Sequence, residues 1–263
     1  MPTSQRILWI AMAVAAAAIL ALGYFLLLAP QAEPAQPAAA EEPVAPVPAP
    51  AQTAAEDAAD PGVVPLDLDL ENSDGAVREL AGMEDLPQAL RPGLLQKDLV
   101  RLAVAVVDRI ARGESPAPLL PFLAPAEPLR TMERNGALVL DPASYRRYDA
   151  LATAFAAVPD RTWIRWYRTL RPTLEKAFRE LGYPGLSFDQ RLRQAMRHLL
   201  QAPEAPSAPG LERKLLSCAF ADPALEGLSA AQKHLLRMGP GNAARVRGKL
   251  GALLSLLGEK GKG

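Results

Sequence analysis

Few side chains in this sequence have the types and spacing that chemistry requires. There are two histidines, His198 and His234, and one thiol, Cys218. No H-x-x-x-H, C-x-x-C or H-E-x-x-H spacing occurs, so neither a metal site nor a cofactor is expected. The G-x-S-x-G elbow and a phosphate-cradling glycine loop with its lysine are also missing. Cys218 and His234 could meet as nucleophile and base. Cys218, however, follows an apolar run from Leu215, where a free cysteine reads as a small core residue. A histidine in a long helix near arginines, as His198 and His234 are, reads as solvent-facing or capping.

Glycan hydrolysis would need two carboxylates about 5–10 Å apart across a cleft. Asp141, Asp149, Asp160, Glu175, Glu180 and Asp189 fall in the middle of the chain. Asp141, Asp160 and Asp222, however, stand where an N-cap carboxylate belongs. The stronger local signal is basic. In Arg161-Thr162-Trp163-Ile164-Arg165-Trp166-Tyr167-Arg168, helical spacing puts Arg161, Arg165 and Arg168 on one face, opposite Trp163, Trp166 and Tyr167. One reading is an aromatic core stripe beneath a solvated ridge. The other is that the ridge, with Arg146 and Arg147, binds anionic headgroups or polymer, because guanidinium forks suit phosphate and carboxylate. Arg245, Arg247 and Lys249 form a second basic strip, which could equally be solvated surface. No catalytic residue is singled out.

The first 29 residues indicate where these groups work. An uncharged run, Ile7–Leu28, follows a lone Arg6. Its length suits a hydrocarbon core of about 30 Å, and it exceeds a signal-peptide h-region. It is read as an uncleaved single-pass signal anchor in a bacterial inner membrane. The next basic residue is Arg78, so the N-terminus is expected in the cytoplasm and the rest in the periplasm. Residues 30–64 are read as a Pro/Ala-rich, acidic, disordered linker; Pro30 to Pro61 hold eight prolines and six acidic residues and no Lys or Arg. Residues 65–258 are read as the globular domain and 259–263 as a disordered tail.

Overall charge is balanced, yet from Leu86 onward 27 Lys and Arg face 16 Asp and Glu. A basic domain beyond the inner membrane can meet headgroups, cell-wall polymer or an envelope protein; nucleic acid is not expected there. With one cysteine, an intrachain disulfide is excluded and packing must stabilise the domain.

Periodicity makes that domain mainly α. Leu95, Leu99, Leu102, Val106 and Ile110 define a helix from about Leu94 to Arg112, with Asp98, Arg101, Asp108 and Arg112 on another arc. Leu129–Met132 and Ala137–Leu140 flank Asn135-Gly136 and predict one small β-hairpin, the only strands expected. Asp141-Pro142 opens a helix to about Ala157, and a longer one runs from Asp160 to Leu181-Gly182, with a kink or break expected at Pro172. Further helices are expected from Ser187 to Gln201, from Asp222-Pro223 to Met238, and along Val246, Leu250, Leu253, Leu254 and Leu257.

Several ordered phrases carry a family resemblance. They are Asp141-Pro142-Ala143-Ser144-Tyr145 with Arg147-Tyr148, Leu181-Gly182-Tyr183-Pro184, Phe220 to Glu226, and Leu235 to Pro240 followed by Asn242-Ala243-Ala244-Arg245-Val246. With the anchor and linker, they resemble the bacterial family catalogued as domain of unknown function 3014, over roughly Leu66 to Leu257. In the family pattern the residue after Met-Gly-Pro is usually acidic, whereas here it is Gly241. The resemblance implies an uncharacterised single-pass envelope protein and brings no activity or catalytic residue. The expected function is a non-enzymatic, anchored envelope protein whose basic domain binds a protein partner or anionic surface. The alternative is a periplasmic hydrolase acting on cell-wall or lipid material.

Overall fold

The computed structural model describes residues 63–82, 85–125, 127–214 and 218–258. The expected anchor, the linker up to residue 62 and the tail 259–263 lie outside the described residues. No helix among the described residues is long and apolar enough to cross a membrane. In chain order come α1 (Ser73–Ala81), α2 (Arg91–Leu94), α3 (Leu99–Ala111) and an antiparallel hairpin of β1 (Thr131–Arg134) and β2 (Ala137–Leu140). Then follow α4 (Asp149–Ala157), α5 (Asp160–Arg179), α6 (Phe188–Leu200), β3 (Leu211–Arg213), β4 (Cys218–Phe220), α7 (Pro223–Glu226), α8 (Ala230–Arg237) and α9 (Pro240–Gly258). The domain is mainly helical, as the periodicity predicts. Residues 212–219 belong to a unit separate from the one holding 58–211 and 220–263. In the smaller unit Lys214 reaches Glu212 at 3.1 Å; β3 and β4 form a two-stranded sheet.

The amphipathic helix starts later than its apolar spacing implies. Leu95 is 68 % exposed, and the chain turns at Asp98 (φ 53°) before α3 begins. The reason is a cap from another helix: the Asp74 carboxylate of α1 accepts from the amides of Asp98 (3.0 Å) and Leu99 (2.8 Å). The deepest stripe of α3 is also rotated from the predicted one. It runs through Val100, Val104, Asp108 and Ala111; of the predicted positions in the helix Leu99 is buried, while Leu102, Val106 and Ile110 are half-buried. Val100 and Val104 pack with Leu70, Leu174, Ala177, Phe178 and Phe188, so α3, α5 and α6 share this core. Each such large apolar side chain contributes roughly 1.5–3 kcal/mol.

α5 runs unbroken through Pro172. Proline removes one amide donor and disturbs the carbonyls one turn back. Here the extended segment before the 3₁₀ turn at Leu70–Asn72 lies against the same turn and ties it down. Leu66 N–H donates to Thr169 O at 2.7 Å, and the buried Thr173 hydroxyl bridges Leu66 O (2.7 Å) and Leu68 N–H (3.0 Å). These bonds fall on the turn that proline weakens, so the helix continues.

The Asn135-Gly136 turn is as read, with φ of 53° and 76°. The first strand is Thr131–Arg134 rather than Leu129–Met132, because a two-residue turn requires Arg134 to face Ala137. The expectation of a single strand pair is corrected by β3–β4, whose strands are three residues each, too short to leave a periodic signal. The open edge of β2 is met by a loop: Leu140 N–H donates to Pro209 O, and Val139 bridges Gly210.

The single helix expected from Pro223 to Met238 is two. α7 stops at Gly227, and Ser229 opens α8 with a reciprocal capping box to Gln232. α6 opens the same way, through Ser187 and Gln190.

Candidate anion-binding site

The segment Pro142–Tyr148 is a 3₁₀ turn rather than the first half of a long helix, and it is tied down residue by residue. Asp141 caps it by accepting from Ala143 N–H at 2.8 Å, and Pro142 pre-sets its first turn. The Ser144 hydroxyl accepts from Arg130 N–H (3.1 Å), which fixes the approach to the hairpin. Tyr145 is buried and donates its hydroxyl to Ser207 O at 3.1 Å. Burial, with Asp141 nearby, pushes that phenol up to about 12. The backbone beneath is held by Asn242, whose side-chain NH₂ shares its two hydrogens among Tyr145 O (3.1 Å), Met238 O (3.1 Å) and Asp149 Oδ1 (2.8 Å). Gly239, at φ 85°, lies against the Tyr145 ring, where a Cβ would come within 2.3 Å of Cγ.

This rigid turn presents Arg146 and Arg147 side by side. With Arg130, Glu127 and Ala143 they line an open recess of about 360 Å³. Arg147 is fixed: it donates to Glu127 O (3.2 Å) and Tyr148 Oη (3.3 Å), and its guanidinium lies 4.8 Å from the Tyr148 ring centroid. Its Nε is buried and has no hydrogen-bond partner among the described residues. Arg146 is exposed and unpaired among the described residues, and Arg130 pairs with Glu127 at 2.8 Å. His234 meets the Tyr148 ring edge-on, at 6.3 Å between centroids. Burial, Arg237 and Arg147 all push its pKa below the usual histidine value, so the imidazole is neutral near pH 7.

The five arginines singled out in the sequence therefore divide. Arg146 and Arg147 share the recess. Arg161 and Arg165 are exposed on α5 and Arg168 is half-buried there, and none of the three lines the recess. Opposite them Trp163 packs on Trp166 (5.1 Å) and Phe155 (5.4 Å), while Trp166 donates to Leu80 O and Tyr167 to Asp189. All three members of the second strip bond within the domain: Arg245 donates to Asn242 Oδ1 at 2.9 Å. Arg247 donates to the carbonyls of Leu200 and Ala202 at the end of α6, and Lys249 to Val158 O and the Asp160 carboxylate. Cations at helix C-termini satisfy orphan carbonyls and oppose the dipole there.

The carboxylates considered for hydrolysis have structural duties as well. Asp160 is the first residue of α5 and pairs with Lys249; it is not a cap. Glu180 is held below the ordinary carboxylate range by Arg101, and Glu175 accepts from Asp189 N–H. Burial pushes Asp189 up, but Arg193 and Tyr167 outweigh it and hold it low. His198 Nε2 lies 2.7 Å from Ser229 Oγ, yet that hydroxyl already accepts from Gln232 N–H as a helix cap. Among the described residues, no group of three His, Cys, Asp or Glu could hold a metal ion.

One charged centre escaped the sequence reading. Asp108, 5 % exposed, lies between Arg191 Nε (2.9 Å) and Arg112 Nε (3.0 Å), and Tyr183 donates to it at 3.3 Å. The contact with Arg191 is close apposition of charges without an aligned hydrogen bond. Arg191 also stacks 4.5 Å from the Tyr183 ring centroid and donates to Gln194.

The sequence profile of the family described as "Protein of unknown function (DUF3014)" matches residues 99–254. The chain belongs to this family. It matches no curated protein and no solved structure. Residues of the phrases that resemble the family make several of the contacts that hold this region. Tyr145 lies on Gly239, Asn242 holds Tyr145 and Asp149, and Tyr183 reaches Asp108. Glu226 binds Phe220 N–H and Lys233.

Gly241 is exposed in the first turn of α9. A Cβ there would meet only Arg245, at 3.9 Å. Gly241→Glu is expected to raise stability by about 1.5 kcal/mol, through helix propensity, the dipole and an i,i+4 pair with Arg245. Thermal unfolding should then move up by about 3–6 °C. An unchanged or lower midpoint would refute this account of the position.

Proposed function

We propose that this family member is a non-enzymatic envelope protein, anchored at the inner membrane by residues 7–28, whose helical domain docks on an anionic surface. The observation that supports this reading is the recess where Arg130, Arg146 and Arg147 converge against a single carboxylate, Glu127. The ridge extends the basic surface: Arg161 and Arg165 project to solvent while the aromatic residues of α5 pack inward. The nearby carboxylates and both histidines serve caps, ion pairs and packing, which favours a binding role for the exposed cations.

The chain from Pro65 onward is expected to bind phosphatidylglycerol vesicles and not phosphatidylcholine vesicles, with affinity falling as salt rises. Each basic residue near an anionic bilayer contributes about 1 kcal/mol, so Arg161→Gln with Arg165→Gln should weaken binding roughly 30-fold. Binding that ignores salt and both substitutions would sink the surface-docking reading. Location is tested separately: a reporter fused after Gly263 that needs export should be active, and activity of a cytoplasm-dependent reporter instead would reverse the topology.

A further inference from the structure

We infer that the recess at Arg130, Arg146 and Arg147 is a discrete site for a phosphomonoester dianion. This deepens the anionic-surface reading and rests on it. Three guanidinium groups and one carboxylate line the recess, which leaves two positive charges uncompensated. A dianion matches that surplus; a carboxylate or phosphodiester, each carrying one charge, leaves half of it unmatched. Guanidinium forks present paired N–H donors, and a terminal phosphate offers three acceptor oxygens where a diester offers two. The donors are partly preorganised. Arg147 is clamped by Glu127 O, Tyr148 Oη and the Tyr148 ring, so little side-chain entropy remains to be lost on binding.

Arg130 and Arg146 complete the site from different segments, Arg130 from the approach to the hairpin and Arg146 from the 3₁₀ segment. Arg130 is shared with Glu127, so an incoming phosphate competes with that exposed ion pair, a weak one by its exposure. The recess, at about 360 Å³, exceeds a bare phosphate and leaves room for the first carbons of an attached sugar or glycerol. The fixed clamp of Tyr145, Gly239 and Asn242 sets the geometry of the turn without occupying the recess.

The test uses the full-length chain in an uncharged maltoside detergent, titrated calorimetrically with glycerol 3-phosphate, glycerophosphoglycerol, acetate and a glutamate-rich peptide. Glycerol 3-phosphate should bind one per chain, at least about tenfold more tightly than the diester or acetate. Arg130→Ala with Arg146→Ala should weaken it at least tenfold, while Arg161→Gln with Arg165→Gln leaves it unchanged. Unaltered far-ultraviolet circular dichroism would show that the recess variant folds; if it does not fold, Arg146→Gln alone serves, since that side chain is exposed. Vesicles containing phosphatidic acid separate the sources of the phosphate. Preference for them over phosphatidylglycerol, lost in the recess variant, assigns a lipid headgroup, and binding of glycerol 3-phosphate alone assigns a free phosphate. Equal binding of the diester, acetate or the acidic peptide overturns the inference, as does binding that survives the recess substitutions. Retained phosphatidylglycerol binding without phosphomonoester binding would overturn this site and leave surface docking standing; the opposite pattern would remove surface docking and leave the site.

Discussion

Gly239→Ala is expected to destabilise the domain by about 3–5 kcal/mol, lowering the unfolding midpoint by roughly 10 °C or more. Two penalties add at this position. The backbone has φ 85°, where an L side chain is strained by about 1–2 kcal/mol. The new methyl would also lie 2.3 Å from Tyr145 Cγ and 2.6 Å from both Cδ atoms. The ring cannot move aside cheaply, because its hydroxyl is bound to Ser207 O and its backbone to Asn242. Gly182→Ala is the matched control: φ is 77°, yet nothing lies within 4 Å of its Cβ, so only the backbone penalty applies. Equal midpoints for the two variants, measured by differential scanning calorimetry, would show that the Tyr145 contact carries no weight.

Asp108→Ala should cost about 3–5 kcal/mol, because it strands Arg191 in the interior without a counter-charge. Arg191 and Asp108 side chains are only 9 % and 7 % exposed, so solvent screens them little. The net worth of the pair is a different quantity. Both charges were desolvated to make it, and the double change Asp108→Leu with Arg191→Met should recover most of the loss or exceed the parent. Chemical denaturation of the three variants decides the matter. A loss below about 1 kcal/mol for Asp108→Ala would refute the account of Arg191 as a buried charge that depends on Asp108.

The local features of the fold were legible. Asn135-Gly136 requires two positive φ values, and the hairpin turns there. Asp141-Pro142 and Asp222-Pro223 each begin a helical segment with the carboxylate accepting the expected amide. Gly182 ends the segment that follows α5 in the left-handed region. These outcomes depend on bonds within a few residues, which is the range over which residue type acts directly.

The candidate site was half legible. Arg146 and Arg147 stood out as adjacent cations beside a signature phrase, whereas Arg130 gave no signal, because its place in the recess depends on the Ser144 bond across fourteen residues. Likewise, Arg247 and Lys249 have the spacing of a solvated strip, and only the ends of α4 and α6 beside α9 turn them into caps.

By itself the sequence determined the helical class, the hairpin turn, the family and the opposition of arginines to aromatics along α5. Each follows from periodicity, turn chemistry or ordered phrases carried within the chain. Tertiary structure alone decided that Leu95 is exposed and Asp108 buried, although both lie in the stretch first read as one helix. Periodicity shows that two arcs exist; the depth of each position depends on which neighbours close over it. Asp74 ends the apolar stripe before Leu95 can join it, and Arg191 and Tyr183 make a buried carboxylate tolerable where an unpaired one would not be.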